Sequence, residues 1–227
     1  MLSPAVEDYL KAIFNLQADS GDEDETVGTS RLAEHLGVSS ASVTNMLKRL
    51  DTLGLATYIA YKGVRLSEAG RTIALEIIRH HRLLETYLRE VMGYDWEEMH
   101  KEAELLEHHI SEEFEDRLDK MLGYPTHDPH GDPIPDRDGT MVQIASDPLA
   151  KCPAGEVLVV RRVTDTDMDV LRDIESLNLL PGQEVTIVDR SSPDSSLTVQ
   201  HGDRTIPVPA PLTLHVFASP RADQQPI

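Results

Sequence analysis

The chain has 227 residues, enough for one large domain or a few small ones, with 40% hydrophobic and 27% charged residues, ordinary proportions for a soluble globular protein. Its formal net charge of −19 repels polyanions at long range, so a nucleic-acid contact has to use a local basic patch, and bound divalent cations would offset part of the charge. The single cysteine, Cys152, excludes an internal disulfide framework and a thiolate zinc site, and with no signal-like N-terminal run and no stretch of about 18 apolar residues the expected location is the cytoplasm, with no membrane partner.

Residues 4 to 17 open with Pro4, suited to a first helical turn, and carry Val6, Tyr9, Leu10, Ile13, Phe14 and Leu16 at helical spacing. Asp8 is a carboxylate in this otherwise apolar sector. The acidic stretch at residues 19 to 26 breaks the pattern as a loop.

A helix from Ser30 to Leu36 then stops at Gly37, and Ser39 or Ser40 caps a second helix running to about Leu53. Leu32, Ala33, Leu36, Val38, Val43, Leu47 and Leu50 supply the seam, with Val38 plugging the angle between helices. Beyond Gly54, LATYIAY and GVRLS alternate like two strands joined at Tyr61, Lys62 and Gly63, a wing. The second helix presents Ser39, Ser40, Ala41, Ser42, Thr44 and Asn45 near its start and Lys48 and Arg49 further along. Hydroxyls and basic groups, Lys62 of the wing among them, suit phosphate oxygens; Asn45 suits an adenine edge, and Ala41 or Ser42 a thymine methyl. The competing reading is a helical hairpin with a polar surface.

Ser67 caps a further helix that runs to Gly93 and places His81 and Glu85 one turn apart. Residues 95 to 118 continue as an acidic helix with an apolar stripe of Trp96, Met99, Ala103, Ile110, Phe114 and Leu118. At 100° per residue, His100, Glu104, Glu107 and His108 share a sector of about 100° beside that stripe, while Glu102, His109, Glu113 and Asp116 face solvent. Carboxylates beside a core are costly unless paired, so this face suits either a metal or, on the plainer reading, solvent. His81 and Glu85 complete a possible site with His100.

Residues 123 to 150, rich in Pro, Gly and Asp, read as linker. From Lys151 onward, EVLVVRRV, EVTIVDR, SLTVQHG, RTIPVP and LTLHVFA read as five short strands of a small barrel, with a short helix between the first two.

The winged helix-turn-helix, the HHRLLE helix, the HKEAELLEHH helix, PIPDRDG at residues 133 to 139 and the small β domain, in that order, resemble the diphtheria toxin repressor family of metal-dependent transcriptional regulators. The resemblance covers nearly the whole chain. It implies a mainly α fold with a winged helix-turn-helix domain at 1–71, a helical dimerisation and metal-binding domain at 72–140, a linker at 141–150 and an SH3-like, FeoA-like β-barrel at 151–227. It also implies a primary metal site of Asp8, Glu104, Glu107 and His108, with carboxylates where iron-responsive members carry sulfur, and a second site of His81, Glu85 and His100. Asp167 stands near the position of a barrel-domain ligand, whereas Val170 departs from the family's Gln, and Lys11 stands where manganese-type members place another carboxylate.

The expected function is therefore a homodimeric, cytoplasmic repressor of metal-uptake genes that binds double-stranded promoter DNA when loaded with Mn²⁺ or Fe²⁺, with Co²⁺, Cd²⁺ or Zn²⁺ able to substitute in vitro. It is not expected to be an enzyme. The alternatives are a metal-independent winged-helix DNA-binding protein and, behind it, a metalloenzyme, against which stands the lack of a nucleophile or zincin signature.

Overall fold

The computed structural model describes residues 2–20, 26–164, 168–190 and 195–221. The chain forms two compact units, the first from Met1–Leu84, Ala103–Met121 and Pro135–Met141, the second from Glu85–Glu102, Leu122–Ile134 and Val142–Ile227. Among the described residues no helix is long and apolar enough to cross a membrane.

In the first unit, α1 (Pro4–Ser20) runs three residues past the periodic segment and takes in the first two residues of the expected acidic loop, of which residues 21–25 lie outside the described residues. Helices α2 (Thr29–His35) and α3 (Ser40–Thr52) form the helix-turn-helix. Gly37 takes the left-handed conformation that ends α2. Ser39 caps α3, its Oγ accepting from the Ser42 amide at 3.2 Å. Leu32, Val43, Leu47 and Leu50 are fully buried in one cluster with Val6, Leu10 and Ile13 of α1, so α1 is part of the helix-turn-helix core. Val38 does not plug the helical angle: it is 40% exposed, because the turn after Gly37 carries it outward.

The wing is an antiparallel pair, β1 (Ala56–Ile59) and β2 (Gly63–Leu66), with Ala56 opposite Leu66. Val27 joins Val64 through two backbone bonds, 2.8 and 2.9 Å long. Gly63 is required there, since a Cβ would lie 2.2 Å from the Val27 carbonyl oxygen and φ is +127°. Ser67 starts α4 (Glu68–Glu90), accepting from the Gly70 amide at 3.1 Å.

The acidic stretch is not one helix. It divides into α5 (Trp96–Leu106) and α6 (Glu112–Met121), and Glu107, His108 and His109 form a turn between them. Ser111, whose Oγ accepts from the Phe114 amide at 3.3 Å, restarts the helix with Glu112, Glu113 and Glu115 in its first turn. The break rotates the stripe: Trp96, Met99, Ala103 and Leu118 are buried, but Phe114 is 46% exposed and Glu115 is buried in its stead.

In the second unit, six antiparallel strands lie in the order β3-β8-β4-β5-β6-β7: β3 (Asp147–Pro148), β4 (Val157–Val163), β5 (Glu184–Asp189), β6 (Leu197–His201), β7 (Arg204–Val208) and β8 (Val216–Pro220). β3 falls within the expected linker and pairs with β8. Along β4, Leu158, Val160 and then Val163 are buried, because a register shift between Val160 and Arg162 changes the phase of the alternation. LTLHVFA is only half a strand. Leu212–Leu214 is a 3-10 turn set by Pro211 before it, and pairing begins at Val216. Helix α7 (Met168–Ser176) buries Leu171 and Ile174, while Asp167 lies outside the described residues.

Candidate metal centre and DNA-binding surface

α1 and the turn after α5 bring Asp8, Glu107 and His108 together, with one ligand atom from each lying within 4.8 Å of the others. His108 Nε2 is 2.8 Å from Asp8 Oδ1 and 3.5 Å from Glu107 Oε1. Nδ1 of the same ring is 2.7 Å from Glu7 Oε2, so a residue on α1 beside Asp8 orients the imidazole. Burial pushes the Asp8 carboxyl up from its ordinary value; His108 opposes the shift, the Glu107 charge adds to it and Lys11 opposes it.

Glu107 is 2% exposed and has a second set of partners. Lys11 Nζ donates to Oε1 at 3.0 Å and to Oε2 at 2.7 Å, and His81 Nδ1 lies 2.5 Å from Oε2. Burial alone would raise this carboxyl, but the His81 hydrogen bond and the Lys11 charge outweigh it and hold Glu107 below the usual carboxylate range.

The turn is fixed from behind. His80 pairs through Nδ1 with the Glu107 carbonyl oxygen at 3.0 Å and through Nε2 with Glu115 Oε2 at 3.3 Å. Arg79 donates to Glu115, to Asp119 Oδ2 at 2.7 Å and to the Pro135 carbonyl at 2.8 Å, which ties PIPDRDG to the same network. For Glu115, burial raises the carboxyl but His80 and Arg79 overcome it, bringing it down to about 2. For His80, burial acts downward, and Glu115 with the Glu107 carbonyl reverses it to a value above the ordinary one.

Glu104 stands outside the cluster. It is exposed on α5, because that helix ends at Leu106 and the turn swings Glu107 and His108 away from its direction. His81, expected in the second site with Glu85 and His100, also engages Glu107 through its Nδ1. In the second unit, His100 Nδ1 lies 3.0 Å from Oε1 of the buried Glu85, one helical turn beyond His81 on α4. His130 Nε2 stands 3.8 Å from the same oxygen, fully buried with its ring 4.3 Å from that of Trp96. His130 and the Arg79, His80 and Glu115 network were not among the sequence candidates.

Ser39, Ser40, Ala41, Ser42, Asn45, Lys48, Arg49 and Lys62 are exposed, and Thr44 is partly so. The hydroxyls are not all available to a ligand: Ser39 caps α3 and lies 3.0 Å from Ser42 Oγ, while Thr44 donates to the Ser40 carbonyl at 2.8 Å. Asn45, Lys48 and Arg49 extend the surface along α3. Tyr61, fully exposed with φ of +66°, and Lys62 form the wing tip.

Residues 1–64 match the family described as iron dependent repressor, N-terminal DNA binding domain; residues 67–136 match iron dependent repressor, metal binding and dimerisation domain; residues 148–219 match the FeoA domain. The iron-dependent repressor IdeR of Mycobacterium tuberculosis is 32% identical, over 91% of this chain and 94% of that one. The HTH-type transcriptional regulator MntR of Bacillus subtilis is 34% identical over 55% of this chain and 84% of its own length. A manganese-dependent transcriptional repressor, solved in complex with manganese, superposes with a TM-score of 0.83 at 33% identity, covering 95% of this chain and 100% of that one. Two of these relatives are named as repressors and the third as a transcriptional regulator.

Proposed function

This chain belongs to the iron-dependent repressor family of metal-dependent DNA-binding regulators, and on that premise we propose that it is a manganese-activated homodimer that represses metal-uptake genes from promoter DNA in the cytoplasm. The observation that carries the choice of ion is the convergence of Asp8 Oδ1, Glu107 Oε1 and His108 Nε2, two carboxylate oxygens and an imidazole nitrogen. Hard carboxylate oxygens with one imidazole suit Mn²⁺, then Fe²⁺; Co²⁺, Cd²⁺ and Zn²⁺ would bind such a set in a tube. Glu104, exposed one turn before His108, is the fourth ligand we assign on the strength of the family resemblance. Glu85 and His100, with His81 earlier on α4, are assigned to a second site.

Asp8 and Glu107 repel one another across the cluster, and a bound divalent cation supplies the charge that turns this repulsion into attraction. His108, held by Glu7, presents Nε2 to the same point. Asp8 sits on α1, whose Leu10 and Ile13 share a core with Val43 and Leu47 of α3. Drawing Asp8 onto Glu107 and His108 therefore selects one placement of the recognition helix, which is what two successive major grooves require of a dimer. Shifting such an equilibrium from 1:99 to 99:1 takes a preference of about 5.5 kcal/mol, within the roughly 8 kcal/mol that micromolar affinity represents. Promoter-DNA binding measured in Mn²⁺ and in chelator tests the proposal; equal affinity in both would refute it.

A further inference from the structure

Lys11 brings a positive charge to a cluster otherwise made to receive one. It follows Asp8 by three residues on α1, so both side chains leave neighbouring positions of one helix face. Its Nζ contacts both oxygens of Glu107, at 3.0 and 2.7 Å, and lies 3.1 Å from His81 Nδ1. The lysine side chain is 17% exposed and that of Glu107 2%, so this is a largely desolvated pair and not a mobile surface contact.

Lys11 reaches both oxygens of Glu107, but their other partners differ. Oε1 faces His108 Nε2 at 3.5 Å, and that nitrogen also meets Asp8. Oε2 carries the shorter contact with Lys11 and the hydrogen bond from His81. A carboxylate that bridges two divalent ions uses one oxygen for each, and here the second oxygen already has its cation. The ammonium already supplies positive charge at Glu107 and repels a second divalent ion brought to the same carboxylate.

We propose that Lys11 is a specificity-determining residue: as a tethered monocation between Glu107 and His81 it fills the place of a second divalent ion, so that the Asp8, Glu107 and His108 cluster holds a single ion. This rests on the metal-site assignment made above. Lys11 also competes for the Glu107 charge, which raises the manganese concentration needed to fill the site.

The test uses the full chain carrying Glu85→Gln and His100→Ala to remove the second cluster, compared with the same chain bearing Lys11→Glu or Lys11→Met. Manganese is titrated calorimetrically and each loaded sample is examined by electron paramagnetic resonance. The expected results are one ion per protomer with an isolated-ion spectrum in the parent, and two exchange-coupled ions with Lys11→Glu. Lys11→Met is expected to bind one ion about tenfold more tightly. A coupled pair in the parent, a single ion in folded Lys11→Glu, or unchanged affinity in Lys11→Met would overturn the assignment of Lys11. No manganese in the parent would instead refute the metal site itself, and this inference with it.

Discussion

Glu7 Oε2 and His108 Nδ1 lie 2.7 Å apart, so the residue next to Asp8 on α1 holds the imidazole that faces Asp8 from the other side. The two neighbouring carboxylates thus serve one histidine through its two nitrogens. Glu7→Ala is expected to weaken manganese binding by about 10- to 100-fold, the usual consequence of freeing a ligating histidine from its outer partner. Calorimetric titration measures this, and an affinity equal to wild type would show that His108 needs no such support.

The ligand assignments predict an order of effects. Asp8→Ala and Glu107→Ala should abolish metal-dependent DNA binding while the chain stays folded. Glu104→Ala should cost about tenfold in manganese affinity, or ~1.4 kcal/mol, because an exposed side chain has to leave water before it contributes. A Glu104→Ala effect as large as that of Glu107→Ala would mean that the loaded site is remade around α5.

The buried network gives stability a dependence on pH from both sides. Glu115 is held at about 2 in the fold, below its ordinary value, so its contribution is present above about pH 4.5 and is lost as pH falls toward 2. His80 is held above its ordinary value, so its contribution is full below about pH 6.5 and is lost as pH rises through the folded value. Urea unfolding from pH 2.5 to 9 should show both limbs in metal-free protein, the acid one on the order of 2 kcal/mol. Glu115→Gln should flatten both, and an unchanged profile would disconnect the network from stability.

On the DNA surface, Lys48→Ala should weaken all sequences alike and reduce the slope of log K against log salt by about 0.9, as expected for one lost phosphate contact. Asn45→Ala should instead relax sequence preference at one position by about 1–3 kcal/mol. Binding titrations over a range of salt and of single-base operator variants separate the two roles. Exchange of these outcomes between the residues would reverse the docking of α3.

The helix-turn-helix and wing were legible because local signals agree: Gly37, the Ser39 cap and the buried periodicity of Val43, Leu47 and Leu50 all mark the same two helices. The break between α5 and α6 was hidden because Met99, Ala103 and Leu118 are buried on both sides of it and fit a single helical period. Ser111 followed by Glu112 and Glu113 was its signature, a start signal inside an apparently continuous helix. Helical spacing singled out Glu107 and His108, and Asp8 stood out as a carboxylate in an apolar sector; the family resemblance joined the three, and the turn brings them together in a way helical spacing does not express. Arg79, His80 and Glu115 escaped because periodicity assigns charge to water, and their burial depends on one another. His130 lies in a segment without periodic pattern, so nothing local announced its place beside Glu85.

The seat of the wing has an evolutionary consequence. Val64 is pinned to Val27 by main-chain bonds on both sides, and Gly63 is the one side-chain choice that the approach of the two strands enforces. The outward residues Thr57, Tyr61, Lys62 and Arg65 take no part in that backbone anchorage. Mutation can therefore rewrite what the wing presents to a neighbouring molecule while its attachment is inherited unchanged, letting related regulators diverge in operator choice from a common frame.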